Sequence, residues 1–478
     1  MPSAVYRMMT LLCSLVVTLP IGTNLGLLHL LWMLVSGQLL GARGAVIPGL
    51  SACGLSDRAV RRAWATLGQG DWACERLLAR WRALVVDEGR WQPHTHGGYR
   101  PVAVDVTACW RPRLQGCPTV HYHAEAGRAL PAIPLGLIAR VGSVGSQRLA
   151  LPLTMVRADV TDPRPGTQER LLVRAAVAQC AVDEVLVCDA GFGLALLQEE
   201  GATRYVVRGA KNSVFRRATP PPYGGRGRPA TRGGIVRPLP RTYTGRPIPA
   251  TPPDRTETWE EDGVTLRAEI WADLVRTTAA KTAATTAAAK TAATAAAAKT
   301  AATEPSFTVI AVYDPRYREP LLLASPLPVT ARVRRDLYHD RWPVEQLPLA
   351  AKQMRGAARA FVHAPETCQR LPELALLAGA ILSYVAATAP AIPTGFWDRR
   401  PQPTPGRLRR ALARVPFPHD LEASELRIQG HNPAHFALPS YTPHHLIVAI
   451  ARFWGLISNK CCHFSRRISV CDPLCSEF

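Results

Sequence analysis

The chain has 478 residues, 47% of them hydrophobic and 19% charged, which is ample for packed cores, excludes an intrinsically disordered protein and suggests about three domains of ordinary size. Lys and Arg outnumber Asp and Glu 57 to 36, a formal charge of +21. Such a surface field draws polyanions and disfavours cationic partners, so nucleic acid or an anionic membrane stands first.

Two strongly apolar runs open the sequence, at residues 8–21 and 25–40. Each is short for a membrane span of about 20 residues, and Pro20, Thr23, Asn24, His29 and Gln38 interrupt them. They read as buried helices of a small N-terminal domain, and a membrane-associated protein is the rival that rests on them alone. Residues 50–64, LSACGLSDRAVRRAW, give a short apolar segment, a Gly54 break and Ser56 as N-cap of a helix carrying Arg58, Arg61 and Arg62. That outline fits a helix-turn-helix entering a major groove, or equally a plain αα corner with a basic face. A further helix over 72–86 closes the domain.

From Tyr99 the period becomes strand-like. Residues 100–107, RPVAVDVT, place Asp105 inside a β-branched run, where a carboxylate is costly without a cationic partner or an ion. Apolar runs at 133–141 and 149–156, separated by a Gly/Ser turn at 142–146, complete a three-strand meander. A helix over 168–179 then leads to EVLVCD at 184–189, a strand ending on Asp189 just before Ala190-Gly191-Phe192-Gly193. An acid in that position holds a metal at the rim of a sheet or caps the next helix, and local evidence does not separate the two.

After a strand at 204–208, residues 205–250 carry ten Lys or Arg, Arg208 and Lys211 first among them, and no acid. Proline and glycine fill the gaps, so the stretch is expected to be extended and mobile, contacting phosphates irrespective of sequence or serving as an inert basic loop. Strand-like segments at 256–275, 307–312 and 319–324 surround a stretch at 277–303 made almost wholly of Ala, Thr and Lys. There Lys281, Lys290 and Lys299 recur every nine residues. This segment is a marginal helix or spacer with no chemistry, and its deletion is expected to leave folding and activity in place.

The most informative stretch is 337–354, LYHDRWPVEQLPLAAKQM. At about 100° per residue, Tyr338, Arg341, Glu345 and Lys352 fall within roughly 60° of one another on one helical stripe. A carboxylate, two cations and a phenol on one stripe suit a metal-bound phosphate, although salt bridges on a solvated face give the same spacing. Pro343 would break a continuous helix but is well placed to begin a new one.

Tyr338-x2-Arg341-x3-Glu345-x6-Lys352, with Trp342 after the arginine, resembles the YREK signature of bacterial insertion-sequence transposases of the DDE type. The resemblance extends to the order of Asp105, Asp189 and Glu345 and covers about residues 99–387. It implies an α/β fold with an RNase H-like catalytic core, a β-rich insertion and a helical N-terminal domain. The expected division is 1–95 for the helical, end-binding domain, 96–205 for the first part of the core, 206–325 for the insertion, 326–395 for the final core helices and 396–478 for the C-terminal region.

The resemblance further implies that Asp105, Asp189 and Glu345 are the catalytic, metal-binding acids, holding Mg²⁺, which Mn²⁺ can replace. Tyr338, Arg341 and Lys352, with Arg208, Lys211, Arg58, Arg61 and Arg62, would contact DNA. An aromatic of the insertion, Trp259 or Trp271, could stack on a flipped base, with core packing as the plainer role of each. The implied activity is cleavage and strand transfer at transposon ends in cut-and-paste DNA transposition. Its partners would be double-stranded DNA, both ends and target, and a second copy of the chain in a paired-end complex. No membrane is expected, and the location would be the bacterial cytoplasm, at the nucleoid when bound. The rival is a catalytically inactive DNA-binding derivative of such an element.

An apolar helix over 373–387 reads as a core helix covering the sheet. Twelve cysteines show no repeated spacing, which points to reduced thiols in a cytosolic compartment. In the tail, Cys461, Cys462, His463, Cys471 and Cys475 could ligate zinc, but their spacing matches no ordinary finger.

Overall fold

The structure, a computed structural model, describes residues 2–417 other than 112–113, 115–116, 124, 163, 165, 226–229, 278–304 and 352–360. Lys352, the Ala/Thr/Lys repeat and the cysteine-bearing tail lie outside the described residues.

Helices come first: α1 (Pro2–Val16), α2 (Thr23–Ser36), α3 (Gln38–Gly41), α4 (Val46–Ser51), α5 (Asp57–Gln69) and α6 (Cys74–Asp87). Because α2 is apolar on every side it has no face for water, and it is buried from Asn24 through Ser36. Gly26 lets α5 approach it: a Cβ there would stand 2.0 Å from the Thr66 hydroxyl oxygen. The start of α5 follows the sequence closely, with Gly54 in the left-handed region at φ +78° and the Ser56 hydroxyl accepting the Ala59 N–H at 3.4 Å.

The strands follow: β1 (Gln92–Pro93), β2 (Arg100–Trp110), β3 (Val120–His123), β4 (Arg128–Val144), β5 (Gln147–Arg157), β6 (Glu184–Cys188) and β7 (Tyr205–Arg208). Helix α7 (Thr167–Gln179) lies between β5 and β6, and α8 (Leu194–Glu199) between β6 and β7. Next come β8 (Phe215–Arg217), β9 (Ile235–Val236), β10 (Arg241–Tyr243), β11 (Arg246–Ile248), β12 (Arg255–Glu261), β13 (Val264–Arg276), β14 (Phe307–Tyr313) and β15 (Leu321–Ser325). The chain continues with α9 (Ala331–His339), α10 (Trp342–Leu349), α11 (Pro365–Thr388) and α12 (Pro405–Leu412).

Thirteen of the described strands form one mixed sheet, so the protein is α/β. The meander β2-β4-β5 is antiparallel, turned by Gly145 at φ +57°, and β6 and β7 then add parallel to β2. Strand β3, invisible to the sequence reading, pairs with the start of a β4 that is longer than the expected 133–141 run. The region 206–325 extends this same sheet. Strand β15 pairs antiparallel with β7, β14 with β15 and β13 with β14, and β12 and β8 share the far side of β13. The β12–β13 hairpin turns on Asp262 (φ +52°) and Gly263 (φ +74°), the two left-handed residues that a tight twisted hairpin requires.

One apolar cluster joins α1, α2, α5, α6, α11 and α12 to the inward residues of β2, β4 and β5, among them Ala103, Leu135, Leu137 and Met155. A second cluster lies on the opposite face under α7, and a third holds α9 against β6, β7 and the insertion strands. Helix α11 is long and apolar enough to cross a membrane by length and composition, but most of it is buried within the protein. In its middle, Glu373 receives Arg157 of β5 at 2.6 Å.

The stretch expected to be extended and mobile is partly built into the sheet: β8 and β9 pair with each other, and β8 pairs with β13. Several of its arginines serve internal contacts. Arg217 clasps Asp254 and donates to the Ala272 carbonyl, and Arg216 donates to the Gly233 carbonyl. Backbone carbonyls and one acid from a neighbouring segment take these guanidinium groups in place of solvent. Among the described residues there is no disulfide.

Candidate functional site

The parallel register of β2 with β6 builds the centre of the site. Val104 is paired with Cys188, so the next residues, Asp105 and Asp189, lie beside each other on neighbouring strands. The register of β6 with β7 pairs Cys188 with Val207, which brings Arg208 into the same row. Its guanidinium stands 4.0 Å from the Asp189 carboxylate. Alternation along β2 turns Val102 and Val104 to the α7 face and Ala103 to the other, so Asp105 shares the Ala103 face with α9 and α10.

Above this row the signature segment forms two helices, broken where Pro343 is expected to break it. Helix α9 ends at His339, with Asp340 as its C-cap, and α10 begins with Trp342 and Pro343 in its first turn. The cause is the proline, which cannot offer an N–H to the preceding turn but accepts a first-turn position readily. Helix α9 packs over β6, β7 and β15, while α10 packs over β2, β4 and β5, so the break crosses the sheet near the paired acids. Tyr338, Arg341 and Glu345 stay together across the break, while Lys352 lies outside the described residues. Arg341 pairs with Glu345 four residues on, its guanidinium carbon is 5.7 Å from the centre of the Tyr338 ring, and its Nη1 is 4.0 Å from Asp105 Oδ1. The Tyr338 hydroxyl donates to Asp189 Oδ1 at 3.4 Å.

Three acids thus gather around one buried arginine, with Asp105 the most enclosed at 21% side-chain exposure against 40% for Asp189 and 33% for Glu345. Burial pushes the Asp105 carboxyl up to about 6; Arg341 opposes this, while Glu345 and Asp189 add to it. Burial alone would weaken the Arg341 charge, yet Tyr338, Asp189 and Glu345 around it hold its pKa above the ordinary value. Burial also raises the Tyr338 phenol. Nε and Nη1 of Arg341 are buried without a hydrogen-bond partner, two donors that a bound oxyanion would satisfy. Carboxylate oxygens are the hard ligands that Mg²⁺ takes, and an acid with a raised pKa gains most from a cation, so the donor chemistry of Asp105, Asp189 and Glu345 suits a divalent ion; these three are not, however, a group whose ligand atoms already lie within 4.8 Å of one another.

The other expected DNA contacts are not gathered here. Lys211 pairs with Glu319 in an exposed ion pair. Arg58, Arg61 and Arg62 lie on α5, which packs on α2, α4 and α11; the first two are exposed and Arg62 is half-buried. Trp271 is fully buried and its indole N–H is shared between the Thr251 and Pro252 carbonyls at 3.0 Å each, so it has no face for a base. Trp259 is half-buried against the third cluster.

A second group of metal-ligand type escaped the sequence reading: His94, His96 and Asp340. The signal was present in the spacing His94-x-His96, which puts two imidazoles on one side of an extended segment. Its third member lies far away in the chain, beside Arg341.

Compared with protein-family models the chain matches none, and it matches no curated protein.

Proposed function

We propose that the protein is a DDE-type DNA transposase with an RNase H-like core, cutting DNA at transposon ends and joining the freed strands to a target. The observation that carries this reading is the row of Asp105 and Asp189 on neighbouring parallel strands, with Glu345 linked to it through Arg341. The strand order β5-β4-β2-β6-β7, an antiparallel meander followed by two parallel strands, supports the core assignment.

Asp105, Asp189 and Glu345 would hold the Mg²⁺ ions, whose chemistry when bound is to activate a water or 3′-hydroxyl and to neutralise the leaving oxygen of the phosphodiester. Arg341 offers its unpaired donors to the phosphate, with Tyr338 and Arg208 on the Asp189 side and Lys352 further along the signature. When a phosphate takes Arg341, the arginine no longer neutralises Asp105 and Glu345, and the acids become free to ligate. The partners are double-stranded DNA and a second copy of the chain, in keeping with the formal charge of +21.

The test is Mg²⁺-dependent nicking and strand transfer on DNA taken from the flanks of the gene, where this reading expects inverted repeats. The native chain is compared with Asp105→Ala, Asp189→Ala and Glu345→Ala. Activity in the native chain and loss in all three supports the reading; equal activity in all four ends it. No activity in any of them favours the inactive DNA-binding derivative.

A further inference from the structure

The segment leading into β2 is held rigidly. The His94 N–H donates to the Val141 carbonyl at 3.0 Å, and His96 and Tyr99 exchange backbone hydrogen bonds at 2.8 and 3.0 Å. Between them Gly97 and Gly98, at φ +57° and +83°, make a turn closed to side-chain-bearing residues. This turn rests on α9: a Cβ on Gly97 would stand 3.0 Å from Val333. Both imidazoles are thereby aimed at the C-terminal cap of α9.

There Asp340, 1% exposed, presents a single oxygen to both rings. His94 Nδ1 is 2.9 Å and His96 Nε2 2.7 Å from Asp340 Oδ2, and the three donor atoms all lie within 4.8 Å of one another. One imidazole would satisfy that oxygen as a hydrogen-bond donor; a second adds a ring nitrogen to the same point from another direction. A compact set of two nitrogens and one oxygen is what a borderline-soft divalent ion takes with three protein ligands and one remaining position. Asp336, one turn earlier on α9, lies within electrostatic reach of His96 and supplies further negative charge. Arg148 Nη1, 3.8 Å from the other oxygen of Asp340, belongs to a half-exposed side chain free to turn into solvent.

We propose that His94, His96 and Asp340 form a zinc-class metal site, separate from the three-acid site and of different chemistry. It would tie the β1–β2 connection to the end of α9, one residue before Arg341. With water in the remaining position, a bound ion would brace the break in the signature segment. The proposal is independent of whether the chain cuts DNA.

The experiment measures Zn²⁺ bound to the full chain after chelator treatment and dialysis, beside His94→Gln/His96→Gln and Asp340→Asn. Because the tail cysteines can also take Zn²⁺, the quantity read is the difference in bound equivalents between native and variant chains. Loss of one equivalent, with loss of the Zn²⁺-dependent rise in melting temperature, is expected. Equal stoichiometry and affinity would overturn the site and leave a plain histidine–aspartate hydrogen-bonded clamp. Should a variant fail to fold, X-ray absorption of the native chain decides. Bound zinc with nitrogen and oxygen neighbours, in addition to any thiolate-bound zinc, supports the site, and all-thiolate coordination overturns it.

Discussion

Removing the charge of Asp105 should stabilise the protein while destroying the proposed activity. Burial, reinforced by Glu345 and Asp189, moves its carboxyl from 3.8 in a free chain to about 6 in the folded one. A folded-state pKa above the unfolded one means that the native chain holds the proton more tightly. The penalty is therefore absent below the unfolded value and complete once pH has risen past the folded value. At about 1.4 kcal/mol per pH unit the full rise is worth about 3 kcal/mol, and partial solvent access reduces this to a range of about 1–3 kcal/mol.

Asp105→Asn keeps the shape and loses the charge. In metal-free buffer at about pH 8 it should melt higher than the native chain by roughly 1–4 °C, the shift such an energy gives a protein of this size, and the difference should vanish towards about pH 4. Adding Mg²⁺ should raise the melting temperature of the native chain and leave the variant nearly unchanged. Scanning fluorimetry across pH, with and without Mg²⁺, measures both. A variant that is less stable at high pH, or whose difference from the native chain ignores pH, would refute the idea that Asp105 is held ionised at a cost.

Arg341→Ala should abolish strand cleavage and destabilise the chain more at about pH 8 than at about pH 5, because Asp105, which it partly neutralises, carries its charge mainly at the higher pH; a pH-independent loss in denaturant titrations would contradict this. Arg157→Met leaves the buried Glu373 with no cation at 2.6 Å and should cost about 3–5 kcal/mol, much of it recovered in the double variant with Glu373→Leu. Urea midpoints of the single and double variants decide it. Ser56→Ala should cost about 1 kcal/mol by removing the cap of α5, with no effect on metal binding. Gly142→Ala should be severely destabilising, since its Cβ would stand 2.2 Å from the backbone oxygen of Gln92, which cannot rotate away; a normal melting temperature would refute that reasoning.

Local signals carried much of this architecture. The β-branched run around Asp105 and the apolar EVLVC before Asp189 are strands β2 and β6, the Ser56 cap starts α5, and Pro343 sits in the first turn of α10. What escaped is what depends on distant partners. Nothing in residues 256–324 tells that β12 to β15 lengthen the central sheet, because strand alternation reports a half-buried face and not the neighbour it pairs with. The two N-terminal apolar runs show that their side chains must be buried, but one of the helices that bury them, α11, comes more than 300 residues later. His94 and His96 were legible as a pair and Asp340 as a letter of the signature segment, yet their meeting is a product of the fold. The same holds for the use of Arg217 in clasping Asp254: charge counting gives a basic stretch and cannot tell which cations are already engaged.

Pairing between β2 and β6 has a further consequence. Side chains on a strand alternate, so sliding β6 by a single position would point Asp189 away from Asp105 and drive Val185 and Val187 out of the layer they fill beneath α9. Slippage would therefore forfeit apolar packing and the meeting of the acids together. Evolution can vary the loops at either end of β6 widely, but not by any insertion that the strand must absorb.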